Sequence, residues 1–364
     1  MAKCLICGES RTDISEFLKV CGSCAKKGSA KAMARIWEAH AKSRAEFGLP
    51  GTPPKNGLKC NLCGNECKIP ENEKGYCGLI ENREGNLVKL VKPKEAIVSS
   101  YYDPHPTNCV AAWTCAGGSE HGYPKYSRSK GAEYGYYNLA VFYGACCCDC
   151  LFCQNWHWRE NTENLKPTMS AEELAGKVNE RVTCICYFGG DPAPQIDHAI
   201  ETARIARKRK DILRICLETS GNLNEKYLDE MAQISLESGG GIKFDLKAWN
   251  ENLSLALTGV SNKKTLENIK RIGRYHRERE EVPFIRASTL LIPGYVDEEE
   301  VKKIAEYLAE IDPTIPYSLL AFKPDFEMGD LPYTSRKLAF KCKAIAEKAG
   351  LRQVRIGNEW ILRG

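Results

Sequence analysis

The stretch "LAVFYGACCCDCLFCQNW", from Leu139 to Trp156, joins a short apolar run to a loop with five cysteines in eight positions. Its first five residues are apolar throughout, which is typical of a strand that is buried on both faces. The cysteines follow directly at the carboxyl end of that strand. Cofactors of parallel α/β sheets lie at this end, so the stretch predicts a buried parallel strand followed by a cofactor loop.

Five further apolar runs alternate with helical segments towards the carboxyl terminus, and they read CICYF, RICLE, IKFDL, FIRASTLLI and YSLLAF. One helix begins at Ser170 with a capping box, in which Glu173 reaches back to the Ser170 amide. Continuous apolar strands separated by helices indicate a parallel sheet with crossover helices. Residues 139–364 are therefore predicted to form one barrel-like α/β domain.

The composition restricts the class of protein. With 364 residues, 43% of them hydrophobic and 27% charged, the chain is expected to hold one large domain and one or two small ones. It has no apolar run long enough to span a membrane, and its first residues lack the apolar core of a secretory signal. Nineteen cysteines without an export signal predict a cytoplasmic protein whose thiols bind metal. The net charge of +5 does not by itself indicate a nucleic-acid partner.

A first cysteine block has the spacing C-x2-C-x13-C-x2-C and contains Cys4, Cys7, Cys21 and Cys24. Two such pairs bring four thiolates to one tetrahedral ion, usually zinc, and four protein ligands make the site structural. The alternative is a set of unrelated buried thiols. A helical stretch follows from Ser29, and the segment Leu49 to Gly57 is rich in the helix breakers proline and glycine. Residues 1–48 are therefore predicted to be a zinc knuckle with one helix.

A second block, C-x2-C-x3-C-x9-C, contains Cys60, Cys63, Cys67 and Cys77. Both zinc and a four-iron four-sulfur cluster accept four thiolates, so both alternatives stay open. Residues 49–138 are interpreted as an accessory region rich in cysteine and tyrosine. Four more potential ligands in it have no ligand spacing and are assigned no role: His105, Cys109, Cys115 and His121.

The loop of the opening stretch contains C-x3-C-x2-C, formed by Cys146, Cys150 and Cys153. Three thiolates can hold three irons of a four-iron four-sulfur cluster and leave the fourth iron open to a ligand. Zinc fits three cysteines less well, because its structural sites are closed by four ligands. The extra Cys147 and Cys148 leave a second register open, in which Cys147 pairs with Cys150. The spacing resembles that of the radical S-adenosylmethionine (SAM) superfamily, in which SAM binds the open iron.

Other motifs support this resemblance. "YFGGDP" resembles the family's GGEP motif, with aspartate in place of glutamate, and "LETSG" resembles DTNG. "FDLKA" matches a Lys–Asp pair that contacts SAM in the family, although a strand-end salt bridge is the structural alternative. The resemblance implies that the contacts to SAM come from Phe152, Gly189, Gly190, Asp191, Glu218, Asp245, Lys247 and Arg286. In that set, Lys247 is expected to face the SAM carboxylate.

Within the superfamily, Leu58 to Gly364 resemble the pyruvate formate-lyase activating enzyme-like family, in particular its AmmeMemoRadiSam and PflX-type branch. The resemblance implies an α/β fold, a partial (β/α)6 TIM-like barrel preceded by cysteine-rich metal-binding regions. It also implies an enzyme that cleaves SAM reductively to a 5′-deoxyadenosyl radical and removes hydrogen from a Cα of a partner protein. The electron is expected from a donor such as ferredoxin or flavodoxin.

Two other reactions remain open. One is a cobalamin-dependent radical SAM C-methyltransferase that modifies a protein residue, such as one in a methanogen enzyme, and it would add cobalamin to the cofactors. The other is modification of tRNA. It would use the N-terminal knuckle and the basic run "ARIARKRKD" from Ala203 to Asp211. Such a run is more often a solvated face, and no aromatic residues are interleaved with it, so a nucleic-acid partner is not expected.

Overall fold

The computed structural model of the protein describes residues 1–364. The first part of the chain contains a short antiparallel ribbon and two helices: β1 (Ala2–Lys3), β2 (Ser10–Arg11), α1 (Gly22–Lys27) and α2 (Ala30–Ala45). The helix predicted after Ser29 is confirmed. The Ser29 hydroxyl accepts a hydrogen bond from the Ala32 amide at 3.3 Å, which satisfies one of the amides that a helix start leaves unpaired.

The accessory region is built of short strands and long connections. It contains two antiparallel ribbons and one longer strand: β3 (Leu58–Lys59), β4 (Lys68–Ile69), β5 (Ile80–Arg83), β6 (Asn86–Lys89) and β7 (Glu95–Pro104). Residues 105–136, which we call the plug segment, then form only a 3-10 turn at Ala112–Thr114.

The rest of the chain alternates strands and helices, as the apolar runs predicted. Its elements are β8 (Tyr137–Tyr143), α3 (Trp158–Asn164), β9 (Thr168–Ser170), α4 (Ala171–Gly176), β10 (Val182–Gly189), α5 (Ile196–Arg207), β11 (Arg214–Thr219), α6 (Glu225–Ser238), β12 (Gly241–Asp245), α7 (Glu251–Thr258), α8 (Lys263–Ile272), β13 (Ile285–Leu291), α9 (Glu298–Ile311), β14 (Tyr317–Ala321), α10 (Arg336–Lys348) and β15 (Val354–Gly357). Four 3-10 turns complete them, at Ala193–Gln195, Gly273–His276, Phe326–Met328 and Glu359–Ile361.

One nine-stranded sheet lies at the centre, in the order β15-β14-β13-β12-β11-β10-β8-β7-β9. The seven strands from β15 to β8 are parallel, which confirms the predicted α/β class and the parallel sheet with crossover helices. The sequence did not predict β7 and β9, which add two antiparallel pairings at one edge. The sheet is open, because β15 pairs with β14 alone.

The predicted capping box is confirmed. The Ser170 hydroxyl accepts from the Glu173 amide at 3.1 Å, and the Glu173 carboxylate accepts from the Ser170 amide at 2.8 Å. Two backbone donors that the start of α4 would leave unpaired are thereby satisfied.

The plug segment packs against the amino ends of the barrel strands. Arg214, the first residue of β11, forms an ion pair with Glu133 at 2.5 Å. Arg286, the second residue of β13, donates to the Thr114 hydroxyl at 3.0 Å and to its carbonyl at 2.9 Å. Residues Thr114 and Glu133 thus hold the segment to the amino ends of β11 and β13, while Cys109 extends into the barrel and contacts Glu218.

The first 48 residues pack on the same core as the barrel. Ile14 and Leu18 belong to one apolar cluster with the barrel strands, and the Tyr295 hydroxyl accepts from the Ser15 amide at 3.0 Å. The predicted boundaries at residues 48 and 138 stay predictions. None of the helices combines the length and the apolar character that crossing a lipid bilayer requires.

Candidate active site

The cysteine loop, residues 144–153, starts where β8 ends. Two of its amides donate to the carboxyl end of α7, Asp149 to the Thr258 carbonyl at 2.7 Å and Leu151 to the Leu257 carbonyl at 3.0 Å. Its other face meets the turn after β10, where the Asp191 amide donates to the Ala145 carbonyl at 2.9 Å. Backbone hydrogen bonds therefore fix the loop from two sides.

The turn after β10 needs its two glycines for close packing. Gly189 has a φ of +110°, and a Cβ there would lie 2.6 Å from the Tyr143 nitrogen. A Cβ on Gly190 would lie 2.1 Å from the Ala145 carbonyl oxygen. Any larger residue would push this turn away from the cysteine loop.

The predicted cluster ligands differ in their ionisation. Hydrogen bonds from the thiols of Cys147 and Cys148 hold the pKa of Cys146 well below its ordinary value. Burial, followed by the negative charge of Cys150, raises the pKa of Cys153 to about 12. One thiol of the loop therefore ionises readily, whereas another stays protonated unless a cation binds it.

The two extra cysteines point to the neighbouring strand ends. The Cys147 sulfur lies 3.5 Å from the Ser220 hydroxyl, just after β11. Cys148 lines a small cavity together with Asp245 and Lys247. The ligand set Cys146, Cys150 and Cys153 and its alternative register both stay predictions.

Asp191 is buried, and its carboxylate is occupied by protein donors. It accepts from the Ser220 amide at 2.7 Å, from the Ala193 amide at 2.9 Å and from the Thr219 hydroxyl at 3.0 Å. Burial, followed by the negative charge of Cys146, raises its pKa to about 6. Asp191 therefore links the turn of Gly189 and Gly190, here called the glycine turn, to the end of β11. The sequence predicted Asp191 as a contact to SAM and did not predict this structural link.

Asp245 and Lys247 lie together at the end of β12, with 3.1 Å between the Lys247 nitrogen and the carboxylate. The strand ends at Asp245, so Lys247 belongs to the following loop, and its ammonium is 5.9 Å from the centre of the Phe152 ring. Burial opposes the charge of Asp245, but Lys243 and Lys247 hold its pKa well below the ordinary range. The structure brings the predicted Phe152, Asp245 and Lys247 to one place beside the cysteine loop.

Glu218 and Arg286, the other predicted SAM contacts, line a cavity inside the barrel. Glu218 pairs with Lys243 at 2.6 Å, and Arg286 is bound to Thr114 of the plug segment. Sequence reasoning missed Lys243. It could have been found, because residues two apart on a strand share a face and Lys243 precedes Asp245 by two.

The largest omission of the sequence interpretation is Asp149, the one carboxylate within the cysteine loop. It is fully buried and contacts Arg159 at 2.6 Å, His40 at 2.8 Å and Arg44 at 3.6 Å. Burial would raise its pKa, but the hydrogen bond from His40 and the charges of Arg44 and Arg159 hold it well below the ordinary range. Since His40 and Arg44 belong to α2, this carboxylate fastens the cysteine loop to the first part of the chain.

The first cysteine block has the geometry of a site for a single ion. The four sulfurs of Cys4, Cys7, Cys21 and Cys24 all lie within 4.8 Å of one another, with 3.8 Å between Cys7 and Cys21. A tetrahedral zinc site with bonds of about 2.3 Å has sulfurs about 3.8 Å apart. Burial would raise the pKa of Cys4, but hydrogen bonds from the backbone amides of Cys21 and Cys7 lower it to about 6.

The second block is more widely spaced. Three of its members are buried, and Cys60 is half-buried. The Tyr76 amide donates to the Cys67 sulfur at 3.5 Å, so backbone donors already face this group. The first block is the one group whose ligand atoms all lie within 4.8 Å of one another, so the second block is not a preformed cage for one ion. Zinc and a second cluster both remain predictions for Cys60, Cys63, Cys67 and Cys77.

Comparison with known proteins gives a family and several named relatives. Residues 140–308 match the family model of the radical SAM superfamily. MJ1632 of Methanocaldococcus jannaschii, provisionally named a glycyl-radical enzyme activating enzyme, is 32% identical over 160 residues, 42% of this chain and 57% of the relative. The chain thus spans little more than half the length of that relative.

Two further relatives extend the similarity. MJ0808 of the same organism, an uncharacterized protein, is 24% identical over 83% of this chain and 82% of its own length. The pyruvate formate-lyase 1-activating enzyme of Escherichia coli is 24% identical over 52% of this chain and 74% of its own length.

Proposed function

We propose that this chain removes a hydrogen from a Cα of a partner protein. It carries a radical SAM domain, and activating enzymes are among its relatives. The observation that carries this proposal is the junction of the cysteine loop with the glycine turn. The Gly190 amide donates to the Tyr143 carbonyl at 2.9 Å, and the Asp191 amide donates to the Ala145 carbonyl at 2.9 Å. The cysteine loop thereby lies beside the turn of Gly189 and Gly190 and the Asp245–Lys247 pair, at the carboxyl ends of β8, β10 and β12.

The residues present fit a four-iron four-sulfur cluster. Thiolates are soft ligands that suit iron–sulfur clusters. Two buried nitrogens of Arg159, Nε and Nη1, have no hydrogen-bond partner, and this guanidinium is close enough to Cys146 and Cys153 to affect their charge. An anionic group held by the loop would balance this charge, because a buried cation needs a counter-charge.

Each part of the site has a defined task in this proposal. Cluster and SAM, when bound, supply the radical chemistry that removes hydrogen from an unactivated carbon. Cys146, Cys150 and Cys153 hold the cluster, and Lys247 binds and orients the SAM carboxylate. Asp149 keeps the loop in its place through Arg159 and α2.

A groove at the free edge of the sheet supports a polypeptide as the substrate. It has a volume of about 570 Å³ and lies between the plug segment and β15, with Trp113, Phe340 and Trp360 on its walls. Trp360 is 82% exposed, and Lys343 and Arg355 add positive charge. Since β15 has unpaired backbone groups on this side, an extended acidic segment of a partner protein would fit here.

Reductive SAM cleavage is the first test. Anaerobically reconstituted protein, a chemical reductant and SAM are expected to yield methionine and 5′-deoxyadenosine. The triple variant Cys146→Ala, Cys150→Ala, Cys153→Ala is expected to lose this activity and its cluster spectrum. A matched control is Cys342→Ser, because Cys342 is buried in α10 away from the loop. Unchanged cleavage by the triple variant would refute the proposal.

The identity of the reaction is tested on protein substrates. A glycyl radical signal in electron paramagnetic resonance, formed on a candidate partner protein, supports activation. A methyl group gained by the partner only when methylcobalamin is present would replace activation by C-methylation. Modification of tRNA with no change in any protein would also overturn the proposal.

For the first cysteine block we propose zinc, because the observed 3.8 Å between Cys7 and Cys21 matches the edge of a zinc–thiolate tetrahedron. Protein purified without added metal is expected to contain one zinc per chain, and Cys7→Ser to lose it. Cys7 is exposed, so this change leaves the core intact. Iron in place of zinc in the purified chain would contradict this assignment.

A further inference from the structure

The barrel interior contains a second group of thiols that the proposed function does not use. Cys184 and Cys186 lie two residues apart on β10, and Cys186 is in register with Cys216 on β11. Cys115 reaches the same cavity from the plug segment. Four cysteines from three separate parts of the chain therefore line one cavity inside the barrel.

The charges around these thiols are not balanced. Arg286 is buried and lines the cavity, yet its only partners are the hydroxyl and the carbonyl of Thr114. Arg214, by contrast, is neutralised by Glu133. A buried guanidinium without a carboxylate requires another negative charge nearby. The one carboxylate that lines the cavity, Glu218, is already paired with Lys243, which leaves the thiols as the source of that charge.

An imidazole also faces the thiols. The Nε2 atom of His105 lies 3.5 Å from the Cys184 sulfur, whereas its Nδ1 atom is buried without a hydrogen-bond partner. Buried polar atoms are rarely left unpaired. Two thiols of the cavity also have oxygen acceptors, since Cys109 donates to the Glu218 carboxylate at 2.9 Å and Cys184 donates to the Asn138 side chain at 3.3 Å. Cys109 is left out of the proposed ligand set because its acceptor is a carboxylate that is held by Lys243.

The cavity is too small for an organic ligand. Its volume is about 30 Å³, which holds about two water molecules. A two-iron two-sulfur centre adds only two irons and two sulfides, because its other four ligand atoms are sulfurs that already line the wall. Backbone positions two apart on a strand are separated by about 6.6 Å, and neighbouring strands by about 4.8 Å, so these thiols are spread more widely than around one zinc ion.

We propose that the barrel interior binds a second metal centre, of the thiolate-ligated iron–sulfur class, through Cys115, Cys184, Cys186 and Cys216. On binding, each thiol loses its proton to solvent, and the resulting thiolates neutralise Arg286. The centre lies inside the barrel, against the plug segment that carries Cys115. Ordinary packing of small core thiols is the competing explanation, and it does not account for the uncompensated charge of Arg286.

Metal analysis of full-length variants tests the proposal. Protein is reconstituted anaerobically with Fe²⁺ and sulfide, and iron, sulfide and zinc are counted per chain. The double variant Cys184→Ser, Cys216→Ser is expected to lose about two irons, whether or not the cysteine loop is intact. Cys109→Ser is the matched control in the same cavity, and it is expected to keep the full count.

Native labelling gives a second measurement that needs no variant. Cys115, Cys109 and Cys216 are half-buried, so a small thiol reagent such as methyl methanethiosulfonate can reach them. Reconstitution is expected to lower the labelling of Cys115 and Cys216 severalfold while Cys109 reacts as before, read by peptide mass spectrometry. If the double variant does not fold, the labelling result decides whether the metal centre binds to these thiols.

The outcomes separate the proposal from its competitor and from the proposed function. Loss of iron and sulfide together in the double variant supports an iron–sulfur centre. Equal metal content in the double variant and Cys109→Ser, or equal labelling before and after reconstitution, overturns the proposal. SAM cleavage that depends on the cysteine loop would survive that result, because the two sites share no ligand.

Discussion

Each end of the barrel is fixed by one buried carboxylate, and the two carboxylates differ in their surroundings. At the amino ends of the strands, Glu133 accepts from Arg214 at 2.5 Å, from the Thr183 hydroxyl at 2.6 Å and from the Arg128 amide at 2.7 Å. One carboxylate meets one guanidinium, and the donors around it are paired.

At the carboxyl ends, Asp149 meets two guanidiniums and an imidazole. Nitrogens of Arg44 and Arg159 are left there without hydrogen-bond partners. The charge around Glu133 is thus balanced by Arg214, whereas the surroundings of Asp149 have an excess of positive charge. The comparison indicates that a buried carboxylate–guanidinium pair stabilises the fold at one end. At the other end, a similar pair leaves positive charge that favours the binding of an anionic group.

The largest expected effect is that of Asp149→Asn. Removing this carboxylate leaves Arg159 and Arg44 buried without a counter-charge, which costs about 3–5 kcal/mol. Urea unfolding of the metal-free protein measures the loss, and iron content after reconstitution is expected to fall with it. The control is Asp229→Asn, which breaks an exposed pair with Arg271 and is expected to cost less than about 1 kcal/mol. Equal losses for the two variants would contradict the difference between the ends.

The second effect concerns pH at the opposite end. Burial would raise the pKa of Glu133, but the hydrogen bonds and charge of Arg214 lower it to about 2. A carboxyl with a depressed pKa stabilises the fold above its unfolded pKa and loses that contribution as the pH falls through its folded value. Glu133→Gln is therefore expected to lower the free energy of unfolding by roughly 3 kcal/mol at pH 7. The difference from the wild type is expected to shrink from about pH 5 towards pH 2, and a difference independent of pH would refute this origin.

A smaller effect concerns Lys247, beside the cysteine loop, and its contribution to SAM binding. Lys247→Ala is expected to weaken SAM binding about tenfold to a hundredfold, because a charge-assisted contact contributes roughly 1.5–3 kcal/mol. Titration calorimetry on reconstituted protein measures it. Lys264→Ala, which removes a pair with Glu225 outside the site, serves as control. If Lys247 only forms a salt bridge with Asp245, stability falls and SAM affinity stays unchanged.

The smallest effect lies away from both ends. Ser170→Ala removes the capping box of α4 and is expected to cost about 1 kcal/mol. Thermal unfolding measures this as a lower midpoint, while SAM affinity and iron content stay at wild-type values. A change in iron content would show that the loop end depends on the general stability of the barrel.

The sequence predicted the barrel strands and the first cysteine block because both follow from local patterns. Continuous apolar runs identify buried parallel strands without knowledge of their neighbours. The C-x2-C pairs place sulfurs by the geometry of short turns, so Cys4, Cys7, Cys21 and Cys24 were identified from spacing alone and the structure brings them together.

The antiparallel strands β7 and β9 were missed for the opposite reason. Their pairing depends on partners far along the chain, since Glu95 of β7 lies opposite Ser170 of β9. β9 has only three residues and no pattern of its own, whereas the residues AIV and YY of β7 favour a strand and could have indicated it. The plug segment was likewise visible only as a stretch rich in tyrosine and glycine.

By itself, the sequence determined the α/β class, the radical SAM resemblance of the cysteine loop and the residues at the strand ends. Only the tertiary structure decided that Asp149 joins His40, 109 positions away, and that Cys115 meets Cys184 and Cys216 inside the barrel. The reason is physical. Periodicity and motif spacing are set by neighbouring residues, whereas the burial of a charge or a thiol depends on which distant segments the closing sheet brings against it.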